Sequence, residues 1–131
     1  MKLLTKEIID AMPPLYEQDG KGGEAVAYLK LFTPWGAWTW YATEGCAMLM
    51  DGSEAKLGER IMLFKEDNKL PVGVTDVLFF GYVEGFDKEL GYFSLKELAT
   101  IVGPGGLKVE RDIHFKPTKL KDINPELFPK K

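Results

Sequence analysis

A regular alternation of side chains runs through residues Ala37–Thr43 and predicts a β-strand. Trp38 and Trp40 point to one face of this strand, whereas Tyr41 points to the other. Two tryptophans on one face form a large apolar surface, because each ring can bury about 150–250 Å². We therefore expect this strand to be the centre around which the rest of the chain is organised.

The segment before this strand predicts its antiparallel partner. Ala25–Phe32 is mostly apolar and has the length of a strand. Between the two strands, Thr33–Gly36 has the composition of a turn, because proline presets φ and glycine tolerates positive φ. The sequence therefore predicts a β-hairpin with Trp35 at its turn.

A second strong strand is predicted over Asp76–Gly85, and apolar residues on both of its faces favour a central position in a sheet. Weaker patterns predict strands at Arg60–Lys65, Leu90–Phe93 and Val109–Phe115. Gly45–Asp51 is ambiguous between a strand end and a loop. A turn is predicted at Phe86–Glu89, and loops are predicted at Leu15–Glu24, Gly52–Gly58 and Glu66–Thr75.

Two short helices are predicted beside these strands. Thr5 can cap a helix over Lys6–Met12, which two prolines end. Ser94 opens a capping box, with a glutamate three residues later, at the start of Leu95–Val102. The fold class predicted from all these elements is α+β: a mainly antiparallel, twisted sheet of about five strands with two short helices packed on it.

Length and charge predict one domain followed by a tail. The 131 residues fit a single domain, which we place at residues 1–116. Residues 116–131 carry five lysines against two acids, although the whole chain has a net charge of −3. We interpret residues 117–131 as a basic, solvated C-terminal tail. The acidic body argues against non-specific binding to duplex nucleic acid, which depends on a basic face.

Compartment and cofactors follow from a few absences in the sequence. No apolar run has the length of a membrane helix, and the first residues do not resemble a signal peptide. Cys46 is the one cysteine, so we expect a cytoplasmic protein without an intrachain disulfide. No cluster of ligands predicts a metal site or a cofactor.

The tryptophan-rich strand has two interpretations. In the first, the rings form the floor of the core, and each indole N–H donates to a carbonyl. In the second, Trp35, Trp38, Trp40 and Tyr41 form a binding platform for a base, a sugar or a side chain of a partner, with Trp35 the most exposed. The residues alone leave both open.

Candidate chemistry is sparse. His114 and Asp112 share a face in the strand prediction, and a histidine beside a carboxylate at a strand end is the simpler reading. Glu44 and Glu84 each end a strong strand, so pairing of these strands would bring two carboxylates together as an acid/base pair. Arg111 is one of two arginines and is a candidate anion-binding residue, or a structural ion-pair partner.

Several blocks of the chain together resemble the bacterial family called domain of unknown function 2958. They are Met1–Thr5, Pro13–Gly20, Phe32–Trp35, Trp38–Glu44, Phe79–Gly85, Glu89–Leu95, Glu110–Asp112 and Phe115–Pro117. The segment at residues 45–75 is longer than this resemblance implies. The resemblance implies a bacterial or phage protein, often encoded on plasmids or integrated elements, and no assigned activity.

Three functions from different classes are therefore open. The first is a non-enzymatic binding or accessory protein, which contacts a protein partner through the aromatic turn and nearby acidic surface. The second is a protein that binds single-stranded nucleic acid by stacking bases on Trp35, Trp38 and Tyr41. The third is a small hydrolase that uses the carboxylates of Glu44 and Glu84.

Overall fold

The structure is a computed structural model, and it describes residues 1–60 and 68–129. The described helices are α1 (Lys6–Ala11), α2 (Leu57–Arg60), α3 (Leu95–Ala99) and α4 (Leu120–Ile123). The described strands are β1 (Val26–Ala27), β2 (Leu29–Phe32), β3 (Thr39–Leu49), β4 (Glu54–Lys56), β5 (Val74–Glu84), β6 (Lys88–Ser94), β7 (Glu110–Arg111) and β8 (Thr118–Lys119).

The main sheet confirms the predicted α+β class. Its antiparallel strands follow the order β6-β5-β3-β2-β7, and β4 pairs with the second half of β3. A separate two-stranded ribbon joins β1 to β8. The predicted hairpin is present, since β2 and β3 pair from Leu29 opposite Ala42 to Phe32 opposite Thr39.

The helices α1 and α3 start where capping predicts. The Thr5 hydroxyl accepts a hydrogen bond from the Ile8 N–H, and the Ser94 hydroxyl accepts one from the Glu97 N–H. Each helix is shorter than predicted: α1 ends at Ala11, and α3 ends at Ala99.

One face of the sheet carries the main core. This face includes Trp40, Val77 and Phe79, and α1 and α3 pack against it through residues such as Ile9 and Leu98. The full set of buried residues in this core is Leu3, Leu4, Ile9, Met12, Leu29, Leu31, Trp40, Ala42, Ala47, Leu57, Val74, Val77, Phe79, Phe93, Leu95, Leu98 and Val109.

The opposite face is covered by the C-terminal segment, so the interpretation of a solvated tail is wrong for residues 118–128. Leu120 and Phe128 are buried there, and the Phe128 ring contacts the Tyr82 ring edge-on at 5.4 Å. Because β8 pairs with β1, this segment is held by main-chain hydrogen bonds as well as by apolar packing.

Several predicted boundaries change for reasons of packing. The ambiguous segment Gly45–Asp51 mostly continues β3, because it pairs with β4 on one side and with β5 on the other. The strand predicted at Ala25–Phe32 is interrupted at Tyr28. The strand before it, β1, pairs with β8, and the strand after it, β2, pairs with β3 in the main sheet. The predicted strand Val109–Phe115 is reduced to the two residues of β7.

Three further segments differ from the prediction. The segment Gly52–Gly58, predicted as a loop, contains β4 and the start of α2. The β5–β6 turn is shorter than Phe86–Glu89, since β6 already begins at Lys88. The predicted edge strand Arg60–Lys65 lies outside the described residues, apart from Arg60 at the end of α2.

None of the described helices combines the length and the hydropathy that crossing a membrane requires.

Candidate functional site

The three tryptophans form a graded series from the core to the surface. Trp40 is buried, and the half-buried Trp38 stacks on it with ring centroids 5.7 Å apart. Trp35 in the turn is also half-buried. The core interpretation therefore holds for Trp40, whereas Trp38 and Trp35 lie where the core meets solvent.

Both of the half-buried tryptophans pack on glycines of neighbouring loops. A Cβ atom built on Gly85 would lie 2.1 Å from the Trp38 ring, and one built on Gly103 would lie 2.3 Å from the Trp35 ring. These indole rings therefore serve to hold the β5–β6 turn and the loop after α3. The sequence prediction identified the tryptophans, but it did not reveal these glycine contacts, which join residues distant in the chain.

The pairing of Thr39 with Glu84 brings the β2–β3 turn beside the β5–β6 turn at one end of the sheet. There the Phe86 ring contacts Trp38 edge-on, with centroids 5.2 Å apart, and 94% of Phe86 is exposed. We call Trp38, Gly85 and Phe86 the aromatic tip. Phe86 is not predicted as a site residue, because its surroundings have the composition of a plain turn. An aromatic residue after a glycine is the one signal that the sequence offers.

The aromatic tip has an acidic border. Glu84 is half-buried and accepts a hydrogen bond from the Tyr82 hydroxyl at 2.9 Å, while Asp87 and Glu89 are exposed. Lys88 is the one cation in this stretch from residue 84 to residue 89. The sheet end therefore combines an exposed aromatic ring with a local excess of negative charge.

Tyr41 lies on the face opposite to the tryptophans, as its sequence position predicts, and it is buried. Its ring stacks on Tyr82 at 5.8 Å, and the Lys30 ammonium lies 5.7 Å from its centroid. Burial, followed by the nearby negative charge of Glu84, raises the pKa of Tyr41 to about 12. The structure thus places Tyr41 in the buried cluster under the C-terminal segment, on the face of the sheet opposite to Trp38.

Arg111 lines a shallow cleft of about 440 Å³ between the β2–β3 hairpin and the segment after β7. Its guanidinium Nε donates to the Lys2 carbonyl at 3.1 Å. In the same cleft, Asp112 pairs with Lys30 at 3.5 Å and accepts a hydrogen bond from the backbone N–H of His114. The two cations are thus engaged within the chain, which favours the structural reading of Arg111.

The two candidate catalytic carboxylates are not brought together. Glu44 lies opposite Phe80, whereas Glu84 lies opposite Thr39, so the two sites are four positions apart along β5. At about 3.3 Å per residue, that spacing is about 13 Å, well beyond the roughly 5–9.5 Å of paired glycosidase carboxylates.

Glu44 instead holds a loop. It is buried, and its carboxylate accepts hydrogen bonds from the backbone N–H groups of Tyr16 (3.0 Å) and Gln18. The Gln18 side chain in turn bonds the backbone of Val26 and Thr43. This network fastens the loop after α1 to the sheet, although its members are far apart in the sequence.

Two lysines of the C-terminal segment are paired with the same acid. Glu24 forms ion pairs with Lys119 (2.8 Å) and Lys121. Their hydrogen bonds lower the pKa of Glu24 to about 2. These lysines therefore secure the segment to the β1 side of the fold.

Within the described part of the chain, no group of three or more His, Cys, Asp or Glu side chains is arranged to hold a metal ion. Cys46 is buried and its sulfur accepts a hydrogen bond from the Leu15 N–H; burial raises the pKa of its thiol. Such a thiol is not activated as a nucleophile.

Comparison with known proteins finds a family match within the second half of the chain. The family described as "Protein of unknown function (DUF2958)" matches residues 59–121, which confirms the predicted resemblance over those residues. The resemblance of the earlier blocks, including the tryptophan stretch, stays a prediction. No curated protein and no solved structure matches the chain.

Proposed function

We propose that this domain is a non-enzymatic binding protein whose aromatic tip contacts a protein partner. The observation that supports it most is Phe86, which is 94% exposed at the end of a well-packed sheet. Aromatic residues are enriched at the centres of protein interfaces, where they supply much of the binding energy. The mobile-element context that the family resemblance implies is consistent with an accessory protein of a plasmid or phage.

Packing beneath Phe86 supports the use of the aromatic tip as an anchor. Trp38 is held from below by Trp40 and from the side by Gly85, so the surface under Phe86 is already formed. An ordered anchor loses little conformational entropy on binding, which raises affinity for a given contact area.

The acidic border of the tip suggests the chemistry of the partner. Glu84, Asp87 and Glu89 outweigh Lys88 in this stretch, so a partner with an apolar pocket and a basic rim fits it best. The same charges oppose a nucleic-acid backbone. The paired state of Lys30, Lys119 and Lys121 further weakens the stacking alternative.

The proposal is tested by comparative capture. The immobilised wild-type protein, Phe86→Ala and the control Val72→Ala are each incubated with a bacterial lysate, and the bound proteins are identified by mass spectrometry. Val72 is fully exposed and lies two residues before β5 begins, whereas Phe86 follows the other end of that strand. We expect a protein bound by wild type and Val72→Ala but lost from Phe86→Ala.

The captured protein is then produced and titrated against the same variants. A hot-spot loss of at least about 2 kcal/mol, or roughly 30-fold in Kd, is expected for Phe86→Ala. Equal binding by all three proteins would refute the proposal. Tryptophan fluorescence that responds to a single-stranded oligonucleotide, and recovers with salt, would replace it with nucleic-acid binding.

A further inference from the structure

The two edges of the main sheet are unlike each other. At one edge, β7 has two residues, and Arg111 there contacts both Met1 and Lys2. At the other edge, β6 has seven residues and, among the described strands, pairs only with β5. Its register runs from Lys88 to Ser94 without a bulge or a proline. A long, regular edge of this kind is a template for pairing with another strand.

The outward-facing main-chain groups of β6 can be assigned from two hydrogen bonds. The Phe80 carbonyl accepts a hydrogen bond from the Thr43 hydroxyl at 3.0 Å, so residue 80 directs its main-chain groups to β3. The adjacent residues of β5, Phe79 and Gly81, then direct their main-chain groups to β6, where they pair with Phe93 and Gly91.

The turn gives the same result independently. The Asp87 carbonyl accepts a hydrogen bond from the Gly85 N–H at 3.0 Å, so residue 87 and every second residue after it face β5. The N–H and C=O groups of the alternate residues Lys88, Leu90, Tyr92 and Ser94 therefore point to the free edge.

The side chains at the centre of this edge are apolar and exposed. Leu90 is 45% exposed and Tyr92 is 54% exposed, and the Tyr92 ring is supported edge-on by Phe80 at 4.9 Å. Between them, a Cβ atom built on Gly91, on the opposite face, would have no described neighbour within 4 Å. Charges, which commonly protect edge strands, occur only at its start.

We propose that β6 pairs antiparallel with β6 of a second copy of this chain, with the two-fold axis at Gly91. In that register Leu90 lies opposite Tyr92 of the partner subunit, and Lys88 lies opposite the partner's Ser94. The four outward-facing residues of each copy are then all paired, and the two apolar contacts are identical by symmetry.

The charges and the strand length select this register. A two-fold axis at Leu90 would pair three outward-facing residues of each copy instead of four. An axis at Glu89 would pair two and would place like carboxylates opposite each other, which is unfavourable. Because the contact is confined to one short strand, the dimer is expected to be weak and dependent on concentration.

Sedimentation velocity over a wide range of protein concentration tests the association itself. Leu90→Pro is the diagnostic variant, because the Leu90 N–H points outward and its loss removes no hydrogen bond to β5. The control is Val72→Ala, because Val72 is fully exposed and lies outside β6 and outside the aromatic tip. We expect a monomer–dimer equilibrium for wild type and Val72→Ala, and a dissociation constant raised about tenfold or more for Leu90→Pro.

Amide hydrogen exchange of the wild-type protein gives a second readout that needs no variant. The amides of Leu90 and Tyr92 should become protected as concentration rises, whereas those of Gly91 and Phe93 should be protected throughout. A protein that stays monomeric at every concentration would overturn the proposal. A dimer in which Leu90→Pro has no effect and the Leu90 and Tyr92 amides exchange freely would also overturn it.

Discussion

Glu44 offers the sharpest test of the structural reading, because sequence analysis named it as a candidate catalytic acid. The structure makes it the acceptor for two buried or partly buried backbone N–H groups, those of Tyr16 and Gln18. Replacing Glu44 with alanine leaves both donors without this acceptor. At about 1–3 kcal/mol for each unsatisfied donor, the loss is about 2–6 kcal/mol.

Part of this loss is recovered elsewhere. Tyr16 has φ of 76°, in the left-handed region that disfavours a residue with a side chain. Releasing the loop relaxes that backbone and returns about 1–2 kcal/mol. We therefore expect Glu44→Ala to lower the free energy of unfolding by about 1–4 kcal/mol, a substantial share of the roughly 5–15 kcal/mol typical of a domain.

Glu44→Gln should have a smaller effect, since the amide oxygen still accepts a hydrogen bond while the amide nitrogen faces the other donor. An expected loss of about 1–3 kcal/mol follows from one unsatisfied donor. The matched control is Glu17→Gln, an exposed acid in the same loop, which should change stability by no more than about 0.5 kcal/mol.

Urea denaturation followed by tryptophan fluorescence measures these changes, and amide exchange locates them. The Tyr16 and Gln18 amides should lose protection in Glu44→Ala before the rest of the sheet does. If Glu44→Ala were as stable as wild type and both amides stayed protected, the role of Glu44 as a loop anchor would be wrong.

Three further predictions test the packing. Gly81→Ala should lower the free energy of unfolding by about 3 kcal/mol or more, because its Cβ would lie 1.8 Å from the Tyr41 carbonyl oxygen. Gly91→Ala, at the paired position in β6, should leave it unchanged, and chemical denaturation at low protein concentration compares the two variants. Phe128→Ala should lower the free energy of unfolding by about 3 kcal/mol, whereas Leu127→Ala, at its exposed neighbour, should lower it by less than about 1 kcal/mol. Equally small effects of both variants would mean that the C-terminal segment does not pack on the sheet. Tyr41 should ionise near pH 12 instead of 10, so its contribution to stability is complete below pH 10 and is lost as pH rises through 12. Near-ultraviolet absorbance, with Tyr41→Phe as the reference, measures this ionisation, and a midpoint at pH 10 would contradict the prediction.

The candidate site could be predicted only in part. The hairpin turn and the tryptophan alternation could be predicted, because turn chemistry and period-two patterning act over a few residues. Phe86 and Gly85 were missed, since their importance comes from pairing Thr39 with Glu84, two residues 45 positions apart. The predicted convergence of Glu44 and Glu84 is wrong, because the pairing register determines which residues are neighbours. The alternation of apolar and polar residues does not specify that register.

What the sequence by itself determined are the features that depend on local interactions: the α+β class, the caps at Thr5 and Ser94, and the opposite faces of Trp40 and Tyr41. Only the tertiary structure decided that Phe128 is buried and that Glu44 is a loop anchor. A basic, proline-containing terminus has the composition of a solvated tail, and its burial depends on an apolar face made by distant strands. Likewise, a carboxylate becomes a structural acceptor only when folding brings unpaired N–H groups to it.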